Sequence, residues 1–260
     1  ASGKGGMYSF SLHSPVGWGA AAAPPSTCAP PPGLVVSANA RVDEGLIITA
    51  SSRVDSAIGA SLASLGGAGG WAYVAVGAPK GGGGVHPGLV TILRYSDTSS
   101  TQVTLLSPGA GPAAPPSLPA AGFGRAVAAV GDVDGDGHVD IAVSGGQVNN
   151  PINVCRLSAT YQLISSTIHR LDDAALAPHA LTLGDDFGTS LASAAVAGSA
   201  LSVWHLAVGA PGFASSGISG SGALFLLQME RSTAPALQAA HEIGQHSLPG
   251  GLGLLEDSAF

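Results

Sequence analysis

The sequence predicts an all-β fold assembled from repeated four-stranded units, and three observations carry that prediction. The first is composition. Of 260 residues, 45% are hydrophobic and 10% charged, and the apolar content, chiefly Ala, Val and Leu, is broken up by 39 Gly and 18 Pro. Such a mix suits short strands and frequent turns, and it supplies enough apolar material for a substantial core. The second is self-similarity at a fixed period. Ile58, Phe123 and Phe187 open three similar stretches, 65 and 64 residues apart. The third is a run of alternating aspartates, residues 132–140, set between two short apolar segments.

Within residues 1–57, Met7 to Leu12 reads as an inner strand and Gly33 to Ser37 and Gly45 to Ala50 as outer strands of an incomplete or divergent unit. The unit 58–122 begins at Ile58-Gly59 and turns through Gly66 to Gly70. It then runs from Trp71 into Gly77-Ala78-Pro79, with further strands over Gly88–Tyr95 and Gln102–Leu106. The unit 123–186 begins at Phe123-Gly124, passes through the aspartate loop, and continues with strands over Ile152–Leu157 and Tyr161–Ile168. The unit 187–260 begins at Phe187-Gly188, turns near Gly198, and runs from Val203 into Gly209-Ala210-Pro211. It adds Gly222–Gln228 and a weaker fourth strand, with an insertion expected between Ala234 and Gly251. Its last residues, Asp257 to Phe260, repeat Asp55 to Ile58, so the chain is expected to stop at a fourth anchor. Four short antiparallel strands per period make one blade of a β-propeller, and three blades with a partial one make only part of a disc. Two Pro-rich stretches, Pro24 to Pro32 and Ser107 to Pro119, cannot continue a ladder and read as extended surface connectors. The competing reading for them is a recognition or O-glycosylated segment.

Asp132, Asp134, Asp136 and Asp140 occupy positions 1, 3, 5 and 9 of the loop, with Gly135 and Gly137 between them. Carboxylates at alternate positions of a tight turn converge on one point, and glycine permits the turn. With the backbone carbonyl of His138 they offer the oxygen set that Ca2+ prefers. An EF-hand would need Glu at position 12, where Val143 stands inside an apolar run, so the loop is expected to join strands. Without a cation the aspartates would repel one another. One structural Ca2+ is therefore expected, the competing reading being a polar hairpin turn that binds nothing.

Other chemistry is thin. A formal net charge of -7 with nine Lys+Arg argues against nucleic acid and anionic membrane as partners. The apolar window Leu191 to Pro211 contains Ser193, Gly198, Trp204 and His205 and aligns with strand–turn–strand segments, so no membrane span is expected. Cys28 and Cys155 allow one disulfide or none. The chain begins at Ala1 without a leader-like segment, as expected of a mature or excised chain. His241-Glu242 and His246 resemble a zinc-protease helix, but the histidines are five apart and Gly244 intervenes. Gly217 to Gly222 lacks the spacing of a nucleophile elbow. Trp71 and Trp204 are expected at equivalent places in their units, as core residues or, alternatively, as platforms for a ligand.

With these residues in view, the chain resembles the FG-GAP repeat family, the propeller repeats of integrin α-subunit ectodomains and of many secreted or cell-surface proteins. The resemblance covers roughly residues 55–260. It rests on Phe123-Gly124 and Phe187-Gly188, on Gly77-Ala78-Pro79 and Gly209-Ala210-Pro211, and on the Asp132 to Asp140 loop. Departures are Ile58 in place of Phe, Ser144-Gly145-Gly146 in place of Gly-Ala-Pro, and no acidic loop in the first and third copies. The resemblance implies a non-enzymatic extracellular or cell-surface propeller for adhesion or assembly, its partner a protein or a matrix or cell-wall component. It also implies that the remaining blades come from the rest of a longer chain or from another subunit. The alternatives are a glycan-binding propeller, using Trp71 or Trp204, and the accessory part of a larger hydrolase.

Overall fold

The computed structural model describes residues 6–13, 35–43, 57–79, 88–95, 100–106, 122–145, 151–170, 173–194, 203–214 and 220–244. These residues are all-β, with no α-helix among them. Strands β1 (Gly6–His13) and β2 (Val35–Asp43) pair antiparallel, with a bulge between Tyr8 and Phe10. The expected strand over Gly45–Ala50, both Pro-rich stretches, Cys28 and the expected anchor at Asp257–Phe260 lie outside the described residues.

Three four-stranded antiparallel sheets follow, each a meander of consecutive strands. The first is β3 (Ser61–Ala68), β4 (Trp71–Ala78), β5 (Leu89–Tyr95) and β6 (Ser100–Leu106). Gly69 and Gly70 close its first hairpin at φ 61° and 79°, the left-handed pair that a two-residue turn between twisted strands demands. The second sheet is β7 (Ala126–Gly131), β8 (Asp140–Ser144), β9 (Ile152–Leu157) and β10 (Leu163–His169). The third is β11 (Leu191–Ala194), β12 (Val203–Ala210), β13 (Ala223–Glu230) and β14 (Leu237–Gly244). The window Leu191 to Pro211 thus contains two strands. Among the described residues no helix is long and apolar enough to cross a membrane.

The middle sheet is buried on both faces, and alternation along its strands explains how. Val127, Ile141, Val143 and Cys155 point into one core with Leu65, Ala75, Val90, Ile92 and Phe123 of the first sheet and its junction. Their neighbours Ala128, Val130, Ala142, Ile152 and Val154 point the other way, into a core with Phe187, Trp204, Leu206 and Phe225. β7 packs against β3 on one side and β11 on the other, so the first strands of the three sheets adjoin.

The anchors serve these junctions. Ile58, Phe123 and Phe187 are all buried. The glycine after each takes a left-handed φ (86°, 92° and 83° for Gly59, Gly124 and Gly188). Its amide donates to the second strand of the sheet it enters: Gly59 to the Gly77 carbonyl at 3.0 Å, Gly124 to Ser144 at 3.0 Å, Gly188 to Gly209 at 2.9 Å. A hydroxyl from the preceding sheet meets the carbonyl of two of these glycines, Ser61 Oγ donating to Gly124 at 2.9 Å and Ser144 Oγ to Gly188 at 2.6 Å.

Three sequence expectations need correction. The interval Ala234 to Gly251, read as an insertion, holds all of β14, a full strand pairing with β13. Its half-exposed, polar-spaced sequence masks it as an edge strand. Tyr161, read as the start of a strand, sits in the turn before β10 at φ 57°. Trp71 and Trp204 are not equivalent: in register, Ala72 pairs with Tyr95 as Trp204 pairs with Met229. They are one residue out of step, which puts them on opposite faces.

Candidate metal centre

The aspartate loop joins β7 to β8, and its shape follows from its own side chains. Asp132 accepts the amides of Gly135 at 2.6 Å, Asp136 at 3.1 Å and Gly137 at 2.8 Å. Asp134 accepts the amide of Asp136 at 3.2 Å, and Asp136 accepts that of His138 at 2.8 Å. Gly135 and Gly137 take φ 85° and 87°, which reverses the chain tightly enough for the carboxylates to face one another. Oxygens of Asp132, Asp134 and Asp136 lie within 4.8 Å of one another. This is a hard, all-oxygen donor set of the kind that suits Ca2+. His138, expected to offer its carbonyl to the cation, is tied to the loop by its amide bond to Asp136.

Asp140 is set apart from that trio. It is fully buried at the start of β8, where one oxygen accepts the amide of Val133 at 3.0 Å and the other that of Leu157 at 2.7 Å. The carboxylate thereby pins the loop's return to β9. Burial pushes its pKa up to about 6 against the pull of those two amides, and the charges of Asp134 and Asp136 raise it further. Asp132 moves the other way: burial opposes its charge, but the amides of Gly137, Gly135, Asp136 and Asp134 outweigh it and hold the carboxyl below its usual range.

Two guanidinium groups that the sequence reading did not single out flank the loop. Arg156 on β9 pairs with Asp134 at 2.7 Å, both side chains largely buried, and also donates to Ser165. Arg231, just past β13, donates to the backbone carbonyl of Asp132. A lone cation inside the apolar run Ile152–Leu157 was the available signal for Arg156. Arg156 offsets one carboxylate of the three, so the loop remains net negative.

The remaining predicted residues separate. Trp204 is core, with its indole N–H donating to the Glu230 carbonyl at 3.3 Å. Trp71 is half-buried, and the Arg94 guanidinium carbon lies 4.7 Å from its ring centroid. Cys155 is a fully buried free thiol paired in register with Ile141, and Cys28, its candidate disulfide partner, lies outside the described residues. Burial, helped by the charge of Asp140, pushes it up to about 12. His241 and Glu242 lie on β14, an extended strand, and Glu242 approaches His179 at 3.5 Å. His246 lies outside the described residues. In comparisons with known proteins, no family model matches the chain and no match to a curated protein is found.

Proposed function

We propose that this chain is part of a calcium-stabilised β-propeller of the FG-GAP type, serving as a non-enzymatic interaction module outside the cell or at its surface. The observation that carries the reading is the convergence of Asp132, Asp134 and Asp136 in a loop between two strands of a four-stranded meander. Further support comes from the adjoining first strands and from the anchor bond that recurs at Gly59, Gly124 and Gly188. In this reading the three aspartates hold Ca2+, which supplies the positive charge that lets them stand together. Asp140 fixes the loop's exit, Arg156 pairs with Asp134 and offsets part of its charge, and Arg231 ties the loop to the third sheet. The partner, a protein or a matrix or cell-wall component, docks on loops at one face of the disc.

Extracellular modules bind calcium with dissociation constants reaching about 0.1 mM. At that affinity, about 1 mM free calcium stabilises the fold by roughly 1.4 kcal/mol. Thermal melting of the chain with Ca2+ and with chelator tests this. The expected result is a higher melting temperature in calcium that Asp134→Ala abolishes. Equal melting temperatures in the two conditions sink the reading.

A further inference from the structure

Between the first and second sheets lies a cleft of about 340 Å3, separate from the aspartate loop. One wall is a row across the first sheet: Tyr73 on β4 pairs with Arg94 on β5, which pairs with Thr101 on β6. The other wall is the turn between β9 and β10, contributing Thr160 and Tyr161. The rings of Tyr73 and Tyr161 stack at 4.4 Å, 28° apart, at the junction of the walls.

The turn is held in place from outside the cleft. Thr104 Oγ1 donates to the Tyr161 carbonyl at 2.7 Å, and Gln162 Nε2 donates to Thr104 Oγ1 at 2.8 Å. Tyr161 also keeps a left-handed φ of 57°, a conformation that is strained for a bulky residue and that tends to persist where a site needs it. On the opposite wall, Trp71 lies beneath the Arg94 guanidinium and limits where that cation can point. Among the described residues no carboxylate pairs with Arg94.

We propose that this cleft binds one acidic sugar residue, a pyranose carrying a single carboxylate, as a unit of an extracellular polysaccharide. Three features select that chemistry. One guanidinium, seated over the Trp71 ring, matches one carboxylate, which it can grip bidentately. Four hydroxyl-bearing side chains, Tyr73, Thr101, Thr160 and Tyr161, match the hydroxyls of a sugar ring. The volume sits at the small end of ligand pockets, about 300–1,000 Å3, and so takes a ring-sized unit. A phosphate dianion would call for more than the one cation present. The inference stands independently of calcium binding.

The test is an NMR titration of the whole chain with glucuronic acid, with glucose and with inorganic phosphate. Saturable shifts for glucuronic acid at residues 73, 94, 101, 160 and 161, with glucose at least about tenfold weaker, are expected from a charge-assisted contact. Arg94→Gln, at an exposed position, is expected to weaken glucuronic acid binding by about tenfold or more while leaving the melting temperature unchanged. Thr160→Val serves as a second variant should Arg94→Gln disturb the fold, and it too weakens binding. Equal affinity for glucose and glucuronic acid overturns the proposal. So does phosphate competing as well as the sugar acid, binding unchanged in both variants, or no saturable shift.

Discussion

Ser144 donates its hydroxyl to the carbonyl of Gly188 at 2.6 Å, bridging the second and third sheets. Ser61 makes the corresponding bond to Gly124 between the first and second. The two serines come from different strands. In the first sheet Ser61 on β3 faces Gly77 on β4; in the second, Ala126 on β7 faces Ser144 on β8. The hydroxyl has changed strands within one cross-strand pair and still reaches the next anchor glycine. This gives a physical reason for Ser144 where Gly-Ala-Pro is expected.

Ser144→Ala removes that bond and also the acceptor for the Ala126 amide at 3.1 Å, leaving buried backbone groups without a partner. The expected loss is about 2–3 kcal/mol. The double change Ala126→Ser with Ser144→Gly copies the Ser61–Gly77 pair and is expected to recover at least half of it. Urea denaturation of the three proteins decides the matter, and a double variant no more stable than Ser144→Ala contradicts the exchange.

Asp140 makes stability fall with rising pH when calcium is absent. Its folded value, about 6, lies above the ordinary 3.8, so the folded state keeps the proton to higher pH than the unfolded chain does. The associated stabilisation is fully present below about pH 4 and lost as pH rises through about 6, a change of roughly 3 kcal/mol. Asp132, held low, acts in the opposite sense and only below its usual range. Urea midpoints in chelator across this window should therefore decline, and Asp140→Asn should flatten the decline. Calcium should lessen it only in part, by neutralising Asp134 and Asp136, because burial is the larger cause. A pH profile identical in Asp140→Asn refutes the assignment.

A cation held as proposed would share Asp134 with Arg156. The pair is largely buried, with side-chain exposures of 13% and 5%, so removing one partner strands the other. Arg156→Gln is expected to cost about 3 kcal/mol in chelator. The same change frees Asp134 and should enlarge the calcium-induced rise in melting temperature. Calorimetric calcium titrations of both proteins provide the check, and a weaker affinity in Arg156→Gln contradicts it.

Cys155 should be silent toward thiol reagents in the native state. Full burial and a pKa pushed up to about 12 deprive it of both access and thiolate. Rapid labelling of Cys155 without denaturant, located by peptide mass, would disprove its placement.

Much of the fold was legible because its signals are local. Apolar runs separated by glycine turns mark the strands of each meander, and the anchors Phe123 and Phe187 stand at the start of theirs. β14 was obscured because an edge strand buries only part of itself and carries polar residues such as Gln238, His241 and Glu242. The tryptophan mismatch arose because a one-residue slip is invisible in composition yet reverses the face. At the candidate site, the alternation of Asp132, Asp134 and Asp136 was readable, since spacing alone makes them converge. The bonds by which Asp140 accepts the amides of Val133 and Leu157 were not, because an aspartate that caps two amides looks like any other in a sequence. Arg231 was beyond reach for another reason: it meets Asp132 from 99 positions away.

That long reach has a dynamic consequence. Arg231 leaves the third sheet at the end of β13 and clasps the backbone of Asp132, so the loop and the β13–β14 hairpin share a fastening. Ordering the loop is therefore expected to slow opening of the hairpin, and releasing it to speed that opening. Amide exchange along Leu237–Gly244 becomes a remote gauge of events at Asp132, legible to any experiment that counts deuterons.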